Sequence, residues 1–287
     1  MNEFTKRLLS GLVLAPLTVY VVYIGGPWLS LYLAAASGLM AWEFYRMARA
    51  GGSHPLAFVG IPVAALVPLA AHAYTLGILP VPVSTIVVAA LAVLALAMFL
   101  RPVEQKPLTA ASITVFGVFY TGAAITFGYA IRYYPYVADA AAGTALVIFP
   151  VWLTWSTDTG AYLVGRIIGG PKLAASISPK KTISGAVGGI LTAGFMAWAY
   201  GTYVLRPLAQ LTMTPTGLAI FAAAISVAAM LGDLAESYLK REAGVKDASG
   251  LIPGHGGVLD RLDSILFVLP TAYLLLPALL KPAPVVP

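Results

Sequence analysis

Long apolar runs, broken at short intervals by Gly, Pro and charge, constrain this chain more than any other feature. Nine can be marked, near 8–24, 28–46, 56–76, 83–100, 113–131, 146–164, 186–205, 218–238 and 259–280. A helix needs about 20 residues to cross ~30 Å of hydrocarbon at 1.5 Å per residue, and the runs are close to that length. Composition agrees, with 60% of the 287 residues hydrophobic and 10% charged, against about 25% charged in a soluble domain. The expectation is an all-α polytopic integral membrane protein of about nine transmembrane helices. Lys6 and Arg7 precede the first run as in a secretory signal. No small-x-small cleavage pattern follows Ile24 and eight further runs do, so the run is read as a retained anchor.

Loop charge orients these spans. With the N-terminus cytoplasmic, fourteen basic residues fall inside: Lys6, Arg7, Arg46, Arg49, Arg101, Lys106, Arg166, Lys172, Lys180, Lys181, Lys240, Arg241, Lys246 and Arg261. Three, Arg132, Arg206 and Lys281, fall outside. The positive-inside rule therefore predicts N-terminus in and C-terminus out. Helices of 1–110 form one expected region and 111–287 a catalytic one, whose cytoplasmic loops 165–185 and 241–257 are rich in Gly, Pro, Lys and Ser. No internal repeat is visible, so the symmetry common in secondary transporters is missing. Neither a transit peptide nor a long soluble tail is read in the chain, and the expected location is a prokaryotic plasma membrane.

The absence of cysteine removes disulfide scaffolds, thiolate catalysis and iron–sulfur ligation. Three scattered histidines, His54, His72 and His255, do not suggest a His-cluster metal site. Any metal should be held by oxygen, which means Mg²⁺ or a similarly hard cation. The acids therefore carry the chemistry, because a carboxylate at membrane depth costs at least about 2.5 kcal/mol and needs a partner or a task. Spacings of three and four put Asp233, Glu236 and Ser237 on one helical face, with Lys240 and Arg241 a turn further on. The same spacing stacks Asp260, Asp263 and Ser264 at the start of the last run. Facing carboxylates among Lys and Arg describe a Mg²⁺ site for a phosphorylated substrate, and salt bridges to Arg241 and Arg261 are the structural alternative. Between the two helix ends, 246–257 contains four glycines that can aim backbone N–H groups at phosphate. His255, flanked by Gly254 and Gly256, suits a phosphate contact or proton role better than packing.

These residues resemble the signature of the phosphatidate cytidylyltransferases, or CDP-diacylglycerol synthases. The matching positions run Ser237-x-Leu-Lys-Arg241, Lys246-Asp247, Ile252-Pro-Gly-His-Gly-Gly257 and Val258-Leu-Asp260-Arg261-Leu-Asp263. Upstream, Asp158-Thr-Gly-Ala-Tyr162, Gly165-Arg166 and Ser178-Pro-Lys-Lys-Thr182 followed by Gly185 are similar to a second stretch of that family. A Trp42-Glu43 pair agrees in the N-terminal part. The chain departs at Ile183-Ser184, where many members carry Trp-Glu, and at Asp247-Ala-Ser249, where many carry Asp-Ser-Gly.

The resemblance implies an integral membrane enzyme that joins CTP and phosphatidic acid to give CDP-diacylglycerol and pyrophosphate. It implies a requirement for Mg²⁺, with a second cation left open. It implies Asp233 and Asp260 as metal ligands with Asp263 assisting, and His255 and Lys246 among the catalytic groups. Substrate contacts would come from Asp158, Ser178, Lys180, Lys181, Thr182, Ser237, Lys240, Arg241, Asp247, Gly256, Gly257 and Arg261. Partners would be CTP, phosphatidic acid and membrane lipids, with no nucleic acid and with homodimerisation open. Catalysis would face the cytoplasm, in a cavity reached from both water and bilayer. The competing readings are a CTP-dependent lipid kinase, a cytidylyltransferase for another phosphorylated lipid, and a proton-coupled transporter using Glu43, Asp158, Asp233 and Glu236 as a relay.

Overall fold

The computed structural model describes residues 3–283. The side chains of 3, 4 and 6–10, Lys6 and Arg7 among them, and the terminal Pro287 lie outside the described residues. Among the described residues the chain forms nine long helices: α1 (Glu3–Ile24), α2 (Gly26–Ala50), α3 (Ala57–Thr75), α4 (Val83–Leu100), α5 (Pro107–Arg132), α6 (Ala140–Ile168), α7 (Ile183–Ala209), α8 (Pro215–Glu242) and α9 (Leu259–Leu279). Each apolar run of the sequence coincides with one of them. Seven, α3 to α9, are long and apolar enough to cross a membrane, and α1 contributes a shorter apolar stretch, Gly11–Ile24. The count supported directly is thus seven rather than the nine expected. α2 is long enough, but it interrupts its apolar residues with buried Ser30, Ser37 and Glu43 and with Arg46 and Arg49.

Side-chain caps fix several helix starts. Asp139 accepts from the Ala142 N–H at 2.8 Å before α6, Thr182 from the Gly185 N–H at 3.1 Å before α7, and Thr214 from the Gly217 N–H at 3.0 Å in α8. Both α5 and α7 contain a π-helical turn, Val118–Ala123 and Gly201–Leu205. The loop after α6 is more ordered than a Gly- and Lys-rich composition suggests. It forms an antiparallel hairpin of β1 (Lys172–Ala174) and β2 (Ser178–Thr182), with Lys172 opposite Thr182. A second short pair joins β3 (Leu211–Thr212) to β4 (Lys281–Pro282).

Contacts divide the chain into two interleaved units. The first comprises Met1–Val21, Gly25–Tyr129 and Leu239–Leu262; the second comprises Val22–Ile24, Ala130–Tyr238 and Asp263–Pro287. In the first unit, fully buried Tyr45 of α2 lies against Gly60 of α3 and Gly117 of α5, where any Cβ would collide with its ring. Its hydroxyl donates to the Thr114 carbonyl at 2.6 Å, and Thr114 Oγ1 accepts from the Leu56 N–H at 2.8 Å. In the second unit, Phe149 of α6 stacks between Tyr200 of α7 and Phe221 of α8 with centroids 5.0 Å apart on either side. Here α6 and α7 approach through small residues: a Cβ at Gly185 would lie 2.8 Å from the Ala161 carbonyl, and one at Gly189 2.8 Å from that of Thr157. Close backbone approach of this kind is how helices gain packing where lipid provides no hydrophobic drive.

Candidate active site

The charged residues singled out in the sequence fall into two clusters, one in each unit. In the second unit the hairpin carries Lys181 onto α8, where its Nζ lies 2.5 Å from Oδ2 of Asp233. Ser237, one turn along α8, donates to the other Asp233 oxygen at 3.3 Å. Asp158 of α6 feels the like charges of Asp233 and Asp263 and the opposite charge of Lys181, so these four side chains share one electrostatic neighbourhood. Three carboxylates and one ammonium leave it formally negative. α8 and α9 come together here with no side chain between them, since a Cβ at Gly232 would lie 2.6 Å from the Asp263 carbonyl. Thr182 is buried and serves as the α7 cap, Ser178 pairs with Ala174 in the hairpin, and Lys180 is exposed.

In the first unit the chain leaves α8 and re-enters α9 through 243–258. Ile252-Pro-Gly-His255 forms a turn closed by the His255 N–H on the Ile252 carbonyl at 2.9 Å, with Gly254 at φ +76°. Pro followed by a positive-φ Gly is the signature of a type II turn. Asp260, in the first turn of α9, organises what surrounds it. Its Oδ1 accepts from Lys240 Nζ at 2.8 Å, and its Oδ2 accepts from the N–H groups of Ala248 at 2.9 Å and Gly257 at 2.7 Å. A pocket of about 480 Å³ opens over this loop, lined by Lys246, Asp247, Ser249, Gly250, Ile252, Gly254, His255, Gly256 and Arg261. Its volume lies in the range of small-molecule sites, and Lys246 and Arg261 give it cationic groups suited to phosphate. Arg241 is exposed in the last turn of α8.

Two residues that shape this loop have no place in the cytidylyltransferase site read from the sequence, where Glu43 figures only in the Trp42-Glu43 pair and the transporter relay and Ser249 only in a departure from the family pattern. Glu43 of α2 is fully buried and accepts from the Ser249 hydroxyl and from the N–H groups of Val258 at 3.0 Å and Leu259 at 2.6 Å. Ser249, also buried, bridges Glu43 and the Leu251 N–H. An acid inside an apolar helix was the available signal for Glu43, since such a group requires a partner.

Comparison with known proteins gives this arrangement its setting. Residues 5–279 match the model of the Cytidylyltransferase family. The chain belongs to that family. Relatives named phosphatidate cytidylyltransferase are 42% identical over 159 residues in Bacillus subtilis, covering 55% of this chain and 57% of that protein. In Haemophilus influenzae the figures are 43% over 135 residues, 47% of this chain and 46% of the relative. In Staphylococcus epidermidis they are 43% over 134 residues, 47% and 50%. The chain thus spans about half the length of the curated relatives it matches.

A cytidylyltransferase handles phosphates, for which a hard cation is the usual counter-charge. The donor chemistry fits: Asp158, Asp233 and Asp263 offer oxygen ligands in one neighbourhood of net negative charge. Among the described residues no three acidic or His side chains are already drawn together as a ligand set. The Asp233 oxygens instead engage Lys181 and Ser237.

Proposed function

We propose that this protein is a phosphatidate cytidylyltransferase, converting CTP and phosphatidic acid into CDP-diacylglycerol and pyrophosphate. The observation that carries this reading is the pairing of chemistries in a chain of apolar helices. Three carboxylates with Lys181 can hold a cation, and a loop pocket with Lys246, His255 and Arg261 can hold phosphate. The relatives' names and the family match over residues 5–279 support the choice of reaction.

In this reading a phosphate oxygen of phosphatidic acid attacks the α-phosphorus of CTP, a new P–O bond forms, and the bond to the β-phosphate oxygen breaks to release pyrophosphate. Both partners are anionic, so the protein's task is to bring them in line and offset their charge. Lys246, Arg261 and His255 bind CTP phosphates, with Asp247 and Gly256 at the pocket wall, while Gly257 lies outside that lining and gives its N–H to Asp260. Lys180, Lys181, Lys240 and Arg241 neutralise the remaining charge, while Ser178, Thr182 and Ser237 orient their neighbours. Asp233 and Asp263, with Asp158 beside them, would hold Mg²⁺. Asp260 would reach a metal only through an oxygen it shares with Lys240 or with the loop. When bound, Mg²⁺ supplies charge neutralisation on the phosphates.

The full topology belongs to the same proposal: nine spans, the N-terminus and the reaction on the cytoplasmic side of the plasma membrane, and the C-terminus outside. The fourteen-to-three partition of Lys and Arg supports it. A reporter fused after Pro287 that reads as cytoplasmic overturns that topology. The reaction is tested on the purified chain in detergent with labelled CTP, phosphatidic acid and Mg²⁺. Pyrophosphate and labelled lipid are the expected products; release of CDP with a newly phosphorylated lipid would make it a kinase instead.

A further inference from the structure

The pocket loop between α8 and α9 contains no regular helix, yet two carboxylates pin it. Asp260 draws in the N–H groups of Ala248 and Gly257. Glu43, from a helix 206 residues away in sequence, takes the Ser249 hydroxyl and the N–H groups of Val258 and Leu259. Those N–H groups belong to the start of α9, where a helix has orphan donors and the positive end of its dipole. A full negative charge there satisfies both demands at once. The fit is exclusive, because any Cβ on Gly257 would run into the Glu43 carboxylate. Glu43 is 0% exposed, so neither substrate nor solvent competes for it.

We propose that Glu43 is a positioning residue for cytidylyl transfer, which locks 248–259 so that Lys246, His255 and Arg261 face the substrate phosphates. The proposal rests on the reading of function given above. Glutamine in its place keeps the shape but substitutes an NH₂ donor for one acceptor oxygen, turning it toward groups that are themselves donors. Aspartate keeps the charge but is one methylene short of the loop.

The test compares wild type with Glu43→Gln, Glu43→Asp, Ser249→Ala and Gly257→Ala, each as the full chain in detergent. Steady-state kinetics are measured with CTP and phosphatidic acid varied separately, together with backbone hydrogen exchange. For Glu43→Gln the KM for CTP should rise on the order of tenfold, as for other lost orienting contacts, while the KM for phosphatidic acid stays within about twofold. Exchange should accelerate across 246–259 and remain slow in α6 and α7. Gly257→Ala should reproduce both effects, Ser249→Ala should show them in smaller measure, and Glu43→Asp should recover part of each. An unchanged CTP KM with unchanged loop exchange in Glu43→Gln overturns the proposal. Accelerated exchange throughout the chain overturns it equally, because Glu43 would then support the fold at large. A wild-type chain inactive toward CTP and phosphatidic acid defeats the functional reading, and the exchange pattern still decides whether Glu43 fixes the loop.

Discussion

Asp260 and Asp233 look alike in the sequence, each an acid near the end of an apolar helix with lysines at hand, but they are embedded in different ways. The Lys240–Asp260 pair is enclosed, with side-chain exposures of 16% and 5%, and Asp260 also bonds two backbone N–H groups. The Lys181–Asp233 pair is open, at 25% and 36%. Removing one member of an enclosed pair strands a charge and costs about 3–5 kcal/mol, whereas an open pair contributes roughly 0–1 kcal/mol. One unit has thus built its acid into the architecture of a loop, and the other leaves its acid partly open in a single ion pair.

Asp260→Asn should show the largest combined effect. It should lose nearly all turnover and lower the thermal midpoint in detergent, since Lys240 is left without its carboxylate and one loop N–H loses its acceptor. An unshifted melting curve would erase the distinction between the two acids. Asp233→Asn should cut kcat by about 10²–10³-fold, the scale of a lost electrostatic stabiliser, at an almost unchanged midpoint; a large drop in stability would make it a structural acid too. Lys181→Gln frees Asp233 without removing it, and a reduction of about tenfold in kcat/KM is expected from one lost charge-assisted contact. Part of that loss should be recovered at higher Mg²⁺, and a Mg²⁺-independent defect would assign Lys181 to substrate alone. Ser237→Ala removes a single 3.3 Å hydrogen bond. It should lower activity no more than about fivefold, in line with roughly 1 kcal/mol.

How much of this was legible in the sequence depends on the range of the interaction. Hydrophobic runs report a local preference for apolar surroundings, protein or lipid, so the helices could be marked from them, with α4 (Val83–Leu100) matched residue for residue. The stacking of Asp233 with Ser237 follows from helical spacing and is present as a hydrogen bond. Spacing could not reveal that Lys181, 52 positions before Asp233, would be delivered to it by a hairpin, because strand pairing in so short a Gly- and Lys-rich segment leaves almost no alternation pattern. Nor could it connect Glu43 to Val258 across 215 positions. The interior of α2 was equally hidden: its length and apolar run suggest a span, but its Ser30, Ser37 and Glu43 are buried within the protein.

The bond between Glu43 and Leu259 also sets a clock. A ribosome adding about 5–20 residues per second needs on the order of 10–40 s to travel the 216 positions between them. Throughout that interval α2 holds a carboxylate whose donors have not been made, because they belong to the segment that will form the pocket. The pocket wall is therefore finished among the last events of synthesis, and a chain released before Leu259 would have the first eight long helices but neither α9 nor the donors that close the loop onto Glu43.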